Sequence, residues 1–461
     1  MTGAILPAVL APLSFTLALF VTGALLIGCG DEEPDPGNPS TLQNVEVTAV
    51  SPRNIRITWT PIPDAEVRIL RGAPGEGYVE VARKDGDHGR FLDLALEPEL
   101  SYAYRLTVCR DEVCEGAYQT SSVVTPASMF PSLEVTVPAS GTADNLVLFG
   151  VYHLSAELYT EGHMAAVDRE GRIVWEYATY EWGPITEVQP LPDGTIATGQ
   201  NQYLVQIDLD GSEVYRWMET TAQHDIDRLP DGRWAFLYFD PFESEPGYTR
   251  LGDGIAILNA SGTAVEWDWR ARDHIPLTDV NETDLLDQEM GLGHDWTHGN
   301  AITVTDGGDK VLVNIRNLNR IYQIDVATKQ TDWIMGDGGD FGAGLWDHCH
   351  DPQFLDDHHV LLFDNGLRRQ PKFSRAIEIE FDPDAKTAEV VWEYRETPDF
   401  YSLALGSAQL QDSGNILITD GFNGRLVEVT REKEKAWELL FEKYYWSYKA
   451  VTVPRSVFTE W

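Results

Sequence analysis

The chain has 461 residues, which is long enough for two or more domains with cores of their own. Its 34 Lys and Arg residues stand against 74 Asp and Glu residues, giving a formal net charge of −40. This charge argues against a nucleic-acid partner and against electrostatic adhesion to anionic lipid, because both need basic patches.

Residues 1–28 form an apolar segment that leads into Leu-Ile-Gly-Cys, a string that ends at Cys29. The string resembles the lipobox of bacterial lipoproteins. The resemblance implies that residues 1–28 are a signal peptide and that Cys29 is lipidated, and two acyl chains anchor a protein stably. The segment lacks Lys and Arg, so an uncleaved signal anchor remains an alternative.

The stretch 29–41 is acidic and rich in Pro and Gly, which is typical of a flexible linker. Gly30, and not Asp, follows the cysteine, which in Gram-negative lipoproteins favours the outer membrane. We therefore expect a lipid-anchored protein of the bacterial cell envelope that faces the periplasm or the exterior.

Residues 42–127 alternate between apolar and polar side chains and break at turn signals, which predicts an all-β sandwich. The segment resembles a fibronectin type III domain, with Trp59 at the core tryptophan position and Tyr102 at the tyrosine corner. Such domains mostly act as spacers or docking units, so protein contacts through this domain are expected.

Two cysteines, Cys109 and Cys114, lie on strand-like runs around a short turn and could form a disulfide across a hairpin. Cys349 lies between two histidines. A buried, apolar cysteine is the default interpretation for it, and a thiol ligand is the alternative.

Residues 128–461 repeat a pattern in which a turn and a strand are followed by a tryptophan-containing run. The spacing of about 40 to 65 residues is typical of a β-propeller with one four-stranded sheet per repeat. Six such units predict six blades, and their tryptophans are interpreted as core markers. These residues are Trp175, Trp217, Trp267, Trp333, Trp392 and Trp437.

Histidines next to aspartates recur before the turn-strand elements of successive repeats, in the strings HDID, HDWTHGN and HCHD. Loops on one face of a propeller converge on the central channel, so equivalent positions become neighbours. A single His-Asp pair is more often structural, but several in register predict a site for an anionic group. The histidines are His224, His294, His298, His348 and His350.

The second domain resembles the bacterial arylsulfotransferases. The resemblance rests on DWTHGNAI, NIRNLNRIYQID, GDGGDF, HCHDPQFL, VLLFDNGLRR, SRAIEIEFD, VVWEYR and GSAQLQDSGNILIT, which follow one another in this order between residues 295 and 419. It implies a six-bladed propeller that transfers a sulfuryl group from a phenolic sulfate ester to a phenol, through a sulfohistidine and without a nucleotide donor.

Position by position, His298 and His350 match active-site histidines of the family, and Arg368 matches its sulfate-binding arginine. Preorganised cations stabilise the charge that develops in sulfuryl transfer, as they do in phosphoryl transfer. Arg316 is a further anion-binding candidate. The remaining substrate-binding candidates are His224, His294, Asn300 and His348.

One departure from the family concerns the last blade. The family's nucleophilic histidine follows the equivalent of FYSLALGSAQ, but here no histidine follows His359. The nucleophile is therefore another residue or is absent. His298 could take the role, since imidazole forms covalent intermediates.

Three functions remain open. The first is transfer between an aryl sulfate and a phenol, and the second is a non-catalytic recognition or docking lipoprotein that has lost the nucleophile. The third is a metal-dependent lyase or hydrolase with zinc on the histidines. We expect no cofactor and no catalytic metal, and calcium bound structurally by acidic loops remains an alternative.

Overall fold

The structure, a computed structural model, describes residues 42–111, 113–153, 162–179, 185–200, 203–218, 222–279, 294–305, 307–342 and 344–461. The expected signal peptide 1–28, the lipid site Cys29 and the linker 29–41 lie outside the described residues. Within those residues, no helix has the length and apolar character needed to span a membrane.

The N-terminal part is a sandwich of two antiparallel sheets. One sheet has the strand order β1-β2-β5, and the other has the order β4-β3-β6-β7 with β8 also paired to β6. The strands are β1 (Glu46–Ser51), β2 (Asn54–Thr58), β3 (Glu66–Gly72), β4 (Val79–Asp85), β5 (Arg90–Asp93), β6 (Ser101–Arg110), β7 (Val113–Gln119) and β8 (Val123–Val124).

Alternation along β6 explains how the sandwich builds its core. Tyr102, Tyr104, Leu106 and Val108 are buried, since side chains two apart share a face of the sheet. Trp59 packs in the same core. The hydroxyl of Tyr102 accepts a hydrogen bond from the backbone N–H five residues upstream, at 2.9 Å.

The cysteines fall into two environments. Cys109 on β6 and Cys114 on β7 face each other across the hairpin and form a disulfide. Cys349 is a buried free thiol in the second part of the chain.

Within the described residues, the second part consists of six antiparallel sheets, each with a four-stranded core. The first three sheets and the flanking elements contain β9 (Leu133–Val137), β10 (Asn145–His153), β11 (Gly162–Val167), β12 (Ile173–Thr179), β13 (Ile185–Pro190), β14 (Ile196–Gln200), β15 (Tyr203–Ile207), β16 (Glu213–Trp217), β17 (Ala222–Arg228), β18 (Trp234–Glu245), β19 (Tyr248–Leu258), β20 (Val265–Arg270), α1 (Ala271–His274) and β21 (His294–Asp295). The other three contain β22 (Gly299–Val304), β23 (Lys310–Ile315), β24 (Arg320–Asp325), β25 (Thr331–Gly336), β26 (His350–Asp356), β27 (His359–Asp364), β28 (Arg375–Asp382), β29 (Thr387–Tyr394), β30 (Ser407–Leu410), β31 (Ile416–Asp420), β32 (Arg425–Val429) and β33 (Lys435–Phe441). The C-terminal elements β34 (Tyr445–Trp446) and β35 (Ala450–Pro454) pair with β10 of the first sheet and are followed by α2 (Arg455–Thr459).

Both ends of this part complete sheets begun elsewhere in the chain. The C-terminal strand β35 pairs with β10 and becomes the inner strand of the first sheet, while β9 is added to the outer strand β33 of the sixth. The inner strands β13, β17, β22, β26 and β30 contact each other in this order, and β35 contacts both β13 and β31. The prediction of an all-β chain, a sandwich followed by a six-bladed propeller, is confirmed.

The repeated tryptophans lie on the outer strands and join neighbouring blades. The indole N–H of Trp175 donates to the carbonyl of Leu209 at 2.7 Å, from the first sheet to the second. The indole of Trp437, in the sixth sheet, donates to the carbonyl of Arg169 in the first at 2.9 Å. The tryptophans therefore contribute to closing the ring as well as to the core.

The sandwich is attached to the first two blades by ion pairs and a shared apolar contact. Arg56 pairs with Asp210 at 2.7 Å and Arg90 with Asp208 at 3.1 Å. Leu92 of the sandwich packs in the same buried cluster as strands of the first two blades. The two parts therefore present a continuous, partly charged interface.

One end of the ring collects the elements that carry the sequence motifs. The inner strands β17, β22 and β26 begin at this end, and the turns from second to third strands lie here as well, including the 3-10 helices Arg316–Leu318 and Gly421–Asn423. Antiparallel order places all these segments on one face.

Candidate functional site

Three histidines lie at the starts of neighbouring inner strands, in a backbone conformation that is rare for residues with a side chain. The φ angle is 52° at His224, 48° at His298 and 56° at His348. Strands β17, β22 and β26 each have a bulge near this end. Bulges and left-handed residues turn side chains out of the regular alternation, and both are frequent near functional sites.

His224 and His298 are direct neighbours across two blades. Their ring centroids are 5.0 Å apart with an interplanar angle of 66°. Nδ1 of His298 is hydrogen-bonded to the carboxylate of Asp295 in the same loop. This contact orients the ring and, in the neutral imidazole, puts the proton on Nδ1 and the lone pair on Nε2.

His350 reaches the same place from the fifth sheet. Its Nδ1 donates to Oδ1 of Asn365 at 2.7 Å, and Asn365 is held in turn by backbone carbonyls. The ring of Tyr448 lies between His224 and His350, with centroid distances of 5.6 and 6.1 Å. The Tyr448 hydroxyl donates to the backbone carbonyl of Asn300 at 2.8 Å, so this ring is a fixed neighbour of both imidazoles.

Arg316 lies among these histidines. Its positive charge acts on His224, His348 and His350 and contributes to lowering the pKa of each. It also acts on Asp295. One terminal nitrogen donates to Asn317 at 2.7 Å, but Nε is buried and, among the residues described, has no hydrogen-bond partner.

Arg368 is more fully engaged. Its Nε donates to Asp347 at 2.8 Å, and a terminal nitrogen donates to Asp337 at 2.9 Å. Asp347 also accepts from Nδ1 of His348 at 2.7 Å. Burial would raise the pKa of Asp347, but the hydrogen bonds of His348 and Arg368 hold it well below its usual value. Arg368 and His348 are therefore tied to one carboxylate.

The other two sequence candidates have different surroundings. His294 lies in the short strand β21, in register with Arg250 of β19. Asn300 is fully buried, its amide donates to the carbonyl of Cys349 at 3.1 Å, and its Oδ1 accepts from Asn314 at 2.6 Å. Asn300 thus bridges two inner strands below the histidines.

The electrostatics favour neutral imidazoles around a permanent cation. Burial lowers the pKa of His224 to about 3, and the neighbouring His298 adds to this effect. Burial, and then Arg316, lower the pKa of His350 well below its ordinary value. Burial likewise lowers the pKa of His348. These three rings are therefore neutral at pH 7, and Arg316 supplies fixed positive charge beside them.

Sequence reasoning missed several residues that complete the site. Asp347 directly precedes the HCHDPQFL string, and Asn365 lies within VLLFDNGLRR, in its Asp-Asn-Gly turn. Their proximity to candidate residues was the available signal. Tyr401 is near Asp347 and Arg316, which shift its pKa in opposite directions after burial has raised it. Tyr448 is far along the chain from every motif, so no local pattern marks it.

Metal binding has a definite geometric requirement. Across the described parts of the chain, no cluster of three or more His, Cys, Asp and Glu side chains has the arrangement to hold a metal ion.

Comparisons with solved structures give low sequence identities. A protein of unknown function from Bacteroides caccae is 14% identical, with 67% of this chain and 99% of that chain covered and a TM-score of 0.46. A streptogramin B lyase is 12% identical, with 70% of this chain and 99% of that chain covered and a TM-score of 0.37. The fn3 domain of human contactin 1 is 16% identical, with 24% of this chain and 94% of that chain covered and a TM-score of 0.19. No curated protein matches the chain.

The family comparison covers the propeller. A family model described as Arylsulfotransferase (ASST) matches residues 135–453, which is more than half of the chain and includes every histidine and arginine of the site. The chain belongs to the arylsulfotransferase family.

Proposed function

We propose that the protein transfers a sulfuryl group from a phenolic sulfate ester to a phenol, at the site formed by Arg316 and the channel histidines. Membership of the arylsulfotransferase family supports this class of reaction. The residue roles below follow from the contacts of this chain.

The surroundings of Arg316 carry the proposal. A buried guanidinium nitrogen without a partner is costly, and a charge-assisted hydrogen bond to an anion contributes about 1.5 to 3 kcal/mol. A sulfate ester brings acceptor oxygens that can satisfy this donor. Arg368 contributes positive charge from the edge, but Asp337 and Asp347 already accept from it. We therefore assign primary sulfate binding to Arg316.

His298 is assigned the role of nucleophile. Its Nδ1 is engaged by Asp295, so the lone pair of Nε2 attacks sulfur, the N–S bond forms and the S–O bond to the donor breaks. The departing phenolate keeps the electron pair of the broken bond. Burial alone would raise the pKa of Asp295, but His298 and then Arg316 keep it below its usual value, so Asp295 is ionised and stabilises the sulfo-imidazole.

The second half-reaction restores the enzyme. The acceptor phenol loses its proton, its oxygen attacks sulfur, and the N–S bond breaks with return of the electron pair to Nε2 of His298. The proton that the acceptor releases balances the proton that the departing phenolate takes up, so no further reagent is needed. Nδ1 donates to Gln223 in His224 and to Asn365 in His350, so the other nitrogen of each neutral ring can accept a hydrogen bond from the hydroxyl of the acceptor phenol.

Aromatic side chains on the same face favour an aryl substrate. Trp446 packs against Phe422 with ring centroids 4.6 Å apart and an interplanar angle of 33°, and it precedes Tyr448 by two residues. Tyr152 packs edge-on against Trp446 at 6.1 Å. The rings of Trp446 and Phe422 are half-buried, and aromatic rings pair favourably with aryl groups.

Turnover of 4-nitrophenyl sulfate with phenol as acceptor tests the proposal. We expect release of nitrophenolate that depends on phenol and is lost in Arg316→Gln. The matched control is Arg172→Gln, an arginine whose side chain is 75% exposed on the first blade, and it should retain activity. Absence of turnover in folded protein, or equal rates in both variants, would refute the proposal.

A second candidate is a non-catalytic lipoprotein that binds anions. The observation that favours it is the absence of any histidine after His359, where the family carries its nucleophile. Equilibrium binding of 4-nitrophenyl sulfate without turnover, lost in Arg316→Gln, would support this candidate over transfer.

The location of the protein is also a proposal. The lipobox-like string before Cys29 supports lipid anchoring at the cell envelope, with the sandwich as a fibronectin type III-like spacer. The anchoring is tested by incorporation of labelled palmitate, which should be lost in Cys29→Ala. Equal incorporation in both proteins would exclude lipidation at this cysteine.

A further inference from the structure

Asp253 is a buried carboxylate behind the histidines that the proposed reaction does not use. It lies in the middle of β19 and is 2% exposed. Oδ1 accepts from the amide of Gln223, and Oδ2 accepts from the hydroxyl of Thr297 at 2.6 Å and from the backbone N–H of Gly299 at 2.5 Å. Because a buried carboxylate is costly unless its acceptors are used, these contacts define its position closely.

The donors to Asp253 flank two site histidines. Gln223 directly precedes His224, while Thr297 and Gly299 enclose His298 in the sequence. A side chain at Gly299 would place its Cβ 3.2 Å from the carboxyl carbon of Asp253, so the tight approach depends on glycine. One carboxylate thus joins the loops of two blades at the point where the two imidazoles are 5.0 Å apart.

The contacts also determine which nitrogen of His224 carries the proton. An ionised carboxylate only accepts, so the amide nitrogen of Gln223 must face Asp253. The amide oxygen of Gln223 then faces Nδ1 of His224, and Nδ1 must donate to it. Nε2 of His224 is left as the acceptor of the ring.

We propose that Asp253 is a positioning residue, which fixes the Nδ1-protonated tautomer of His224 through Gln223 and holds the His298 loop against it. The consequence for sulfuryl transfer rests on the proposed function, whereas the tautomer does not. In transfer, the acceptor nitrogen of His224 is available to the hydroxyl of the incoming phenol.

Burial raises the pKa of Asp253 to about 7, and the charge of Asp295 contributes in the same direction. The hydrogen bonds from Thr297 and Gly299 and the charge of His298 oppose this shift. The charged and titratable groups around Asp253 are therefore Asp295 and His298, with His224 connected through Gln223. The contacts from Asp253 through Gln223 to His224 need an ionised Asp253. The Nδ1-protonated tautomer of His224 should therefore be best defined above pH about 7.

The test is the tautomer of His224, read by nitrogen NMR of the full chain with labelled histidine. We expect Nδ1 of His224 to be protonated in the natural protein. Asp253→Asn should change the ratio of the two tautomers by about fivefold or more, as the loss of one net hydrogen bond implies. Gln223→Leu, which leaves Thr297 and Gly299 on Asp253, should do the same if Asp253→Asn fails to fold.

The matched control is Asp240→Asn on the neighbouring strand β18, whose carboxylate pairs with Arg272. It should leave the tautomer of His224 unchanged. The proposal would be overturned by an Nε2-protonated His224 in the natural protein. It would also be overturned by an unchanged tautomer ratio in both Asp253→Asn and Gln223→Leu. If transfer is active, Asp253→Asn should lower kcat with little change in KM, and absence of transfer leaves the NMR result decisive.

Discussion

At the level of single residues, the two arginines of the site differ in how far their hydrogen-bond donors are already used. Arg368 donates to Asp337 and Asp347, while Arg316 has a buried Nε without a partner among the described residues. A residue match alone favours Arg368, because it follows the Asp-Asn-Gly turn of the family motif. Because the donors of Arg368 are already used, we assign the main sulfate-binding role to Arg316.

This difference gives a prediction for a pair of variants. Arg316→Gln should lower kcat/KM for 4-nitrophenyl sulfate by about a hundredfold, because a charge-assisted contact to the ester is lost. Arg368→Gln should cost about tenfold or less, since its carboxylate partners already share its charge. Steady-state kinetics decide, and a larger loss in Arg368→Gln would reverse the assignment.

The neutral state of His224 predicts a pH dependence of stability. Its pKa is lowered by burial to about 3 from an ordinary value of 6.5. As pH falls below 6.5, the unfolded chain binds a proton here that the folded chain does not, so stability decreases. Urea unfolding between pH about 5 and about 7 should therefore show a weaker pH slope in His224→Asn.

His359→Asn, at the start of β27 and at the opposite end of the blade from the site, is the control for that measurement. It should retain the slope of the natural protein. Equal slopes in the natural protein and in His224→Asn would mean that His224 titrates normally.

At the scale of elements, the C-terminal strand closes the ring and places Tyr448 and Lys449 on the channel axis. Lys449 is 13% exposed and pairs with Glu187 at 3.2 Å and with Asp351 at 3.1 Å, while Asp225 lies 3.9 Å away. These carboxylates come from three different blades and line a cavity of about 210 Å³. One lysine thus holds together blades that are distant in sequence.

Lys449→Met should destabilise the protein by about 3 to 5 kcal/mol, because it leaves buried carboxylates without their partner. Burial raises the pKa of Asp225 to about 6. Lys449 opposes this shift, so its removal should raise the pKa of Asp225 further, and the cost of the substitution should grow as pH rises above about 6, where Asp225 is ionised in the natural protein. Urea unfolding measures both effects.

Lys435→Met is the comparison for this variant. Lys435 pairs with Glu438 at 2.9 Å but is 32% exposed, so its loss should cost about 1 kcal/mol or less. An equal loss of unfolding free energy in the two variants would show that Lys449 contributes no more to stability than an exposed lysine.

The elements also show what sequence patterns can predict. Strand alternation and the Trp175-type repeats predict the sandwich and six blades, because they depend on local periodicity. The pairing of β35 with β10 joins segments about 300 residues apart, and no periodic signal marks it. The positions of Tyr448 and Lys449 in the channel follow from that pairing and were therefore beyond prediction, as was the engagement of Arg368 by two carboxylates.

At the scale of the whole molecule, a net charge of −40 surrounds the proposed sulfate site. The cations of the site act locally, while the distant carboxylates repel each other and any approaching sulfate ester. The compact propeller therefore carries an electrostatic cost at low salt.

We expect the midpoint of thermal unfolding to rise when NaCl increases from about 10 mM to about 150 mM, as the Debye length falls from about 30 Å to about 8 Å. Calorimetry at constant pH measures the change. A midpoint that is unchanged or lower at the higher salt concentration would show that self-repulsion is not a significant term.

The proposed mechanism requires that His298 carries the sulfuryl group during transfer. The most direct measurement is peptide mass spectrometry of protein quenched during reaction with 4-nitrophenyl sulfate in the absence of acceptor. The claim predicts the added mass of a sulfuryl group on the peptide that contains His298, removed by phenol and absent in His298→Gln. A turning-over enzyme with no adduct, or with the adduct on another residue, would contradict it.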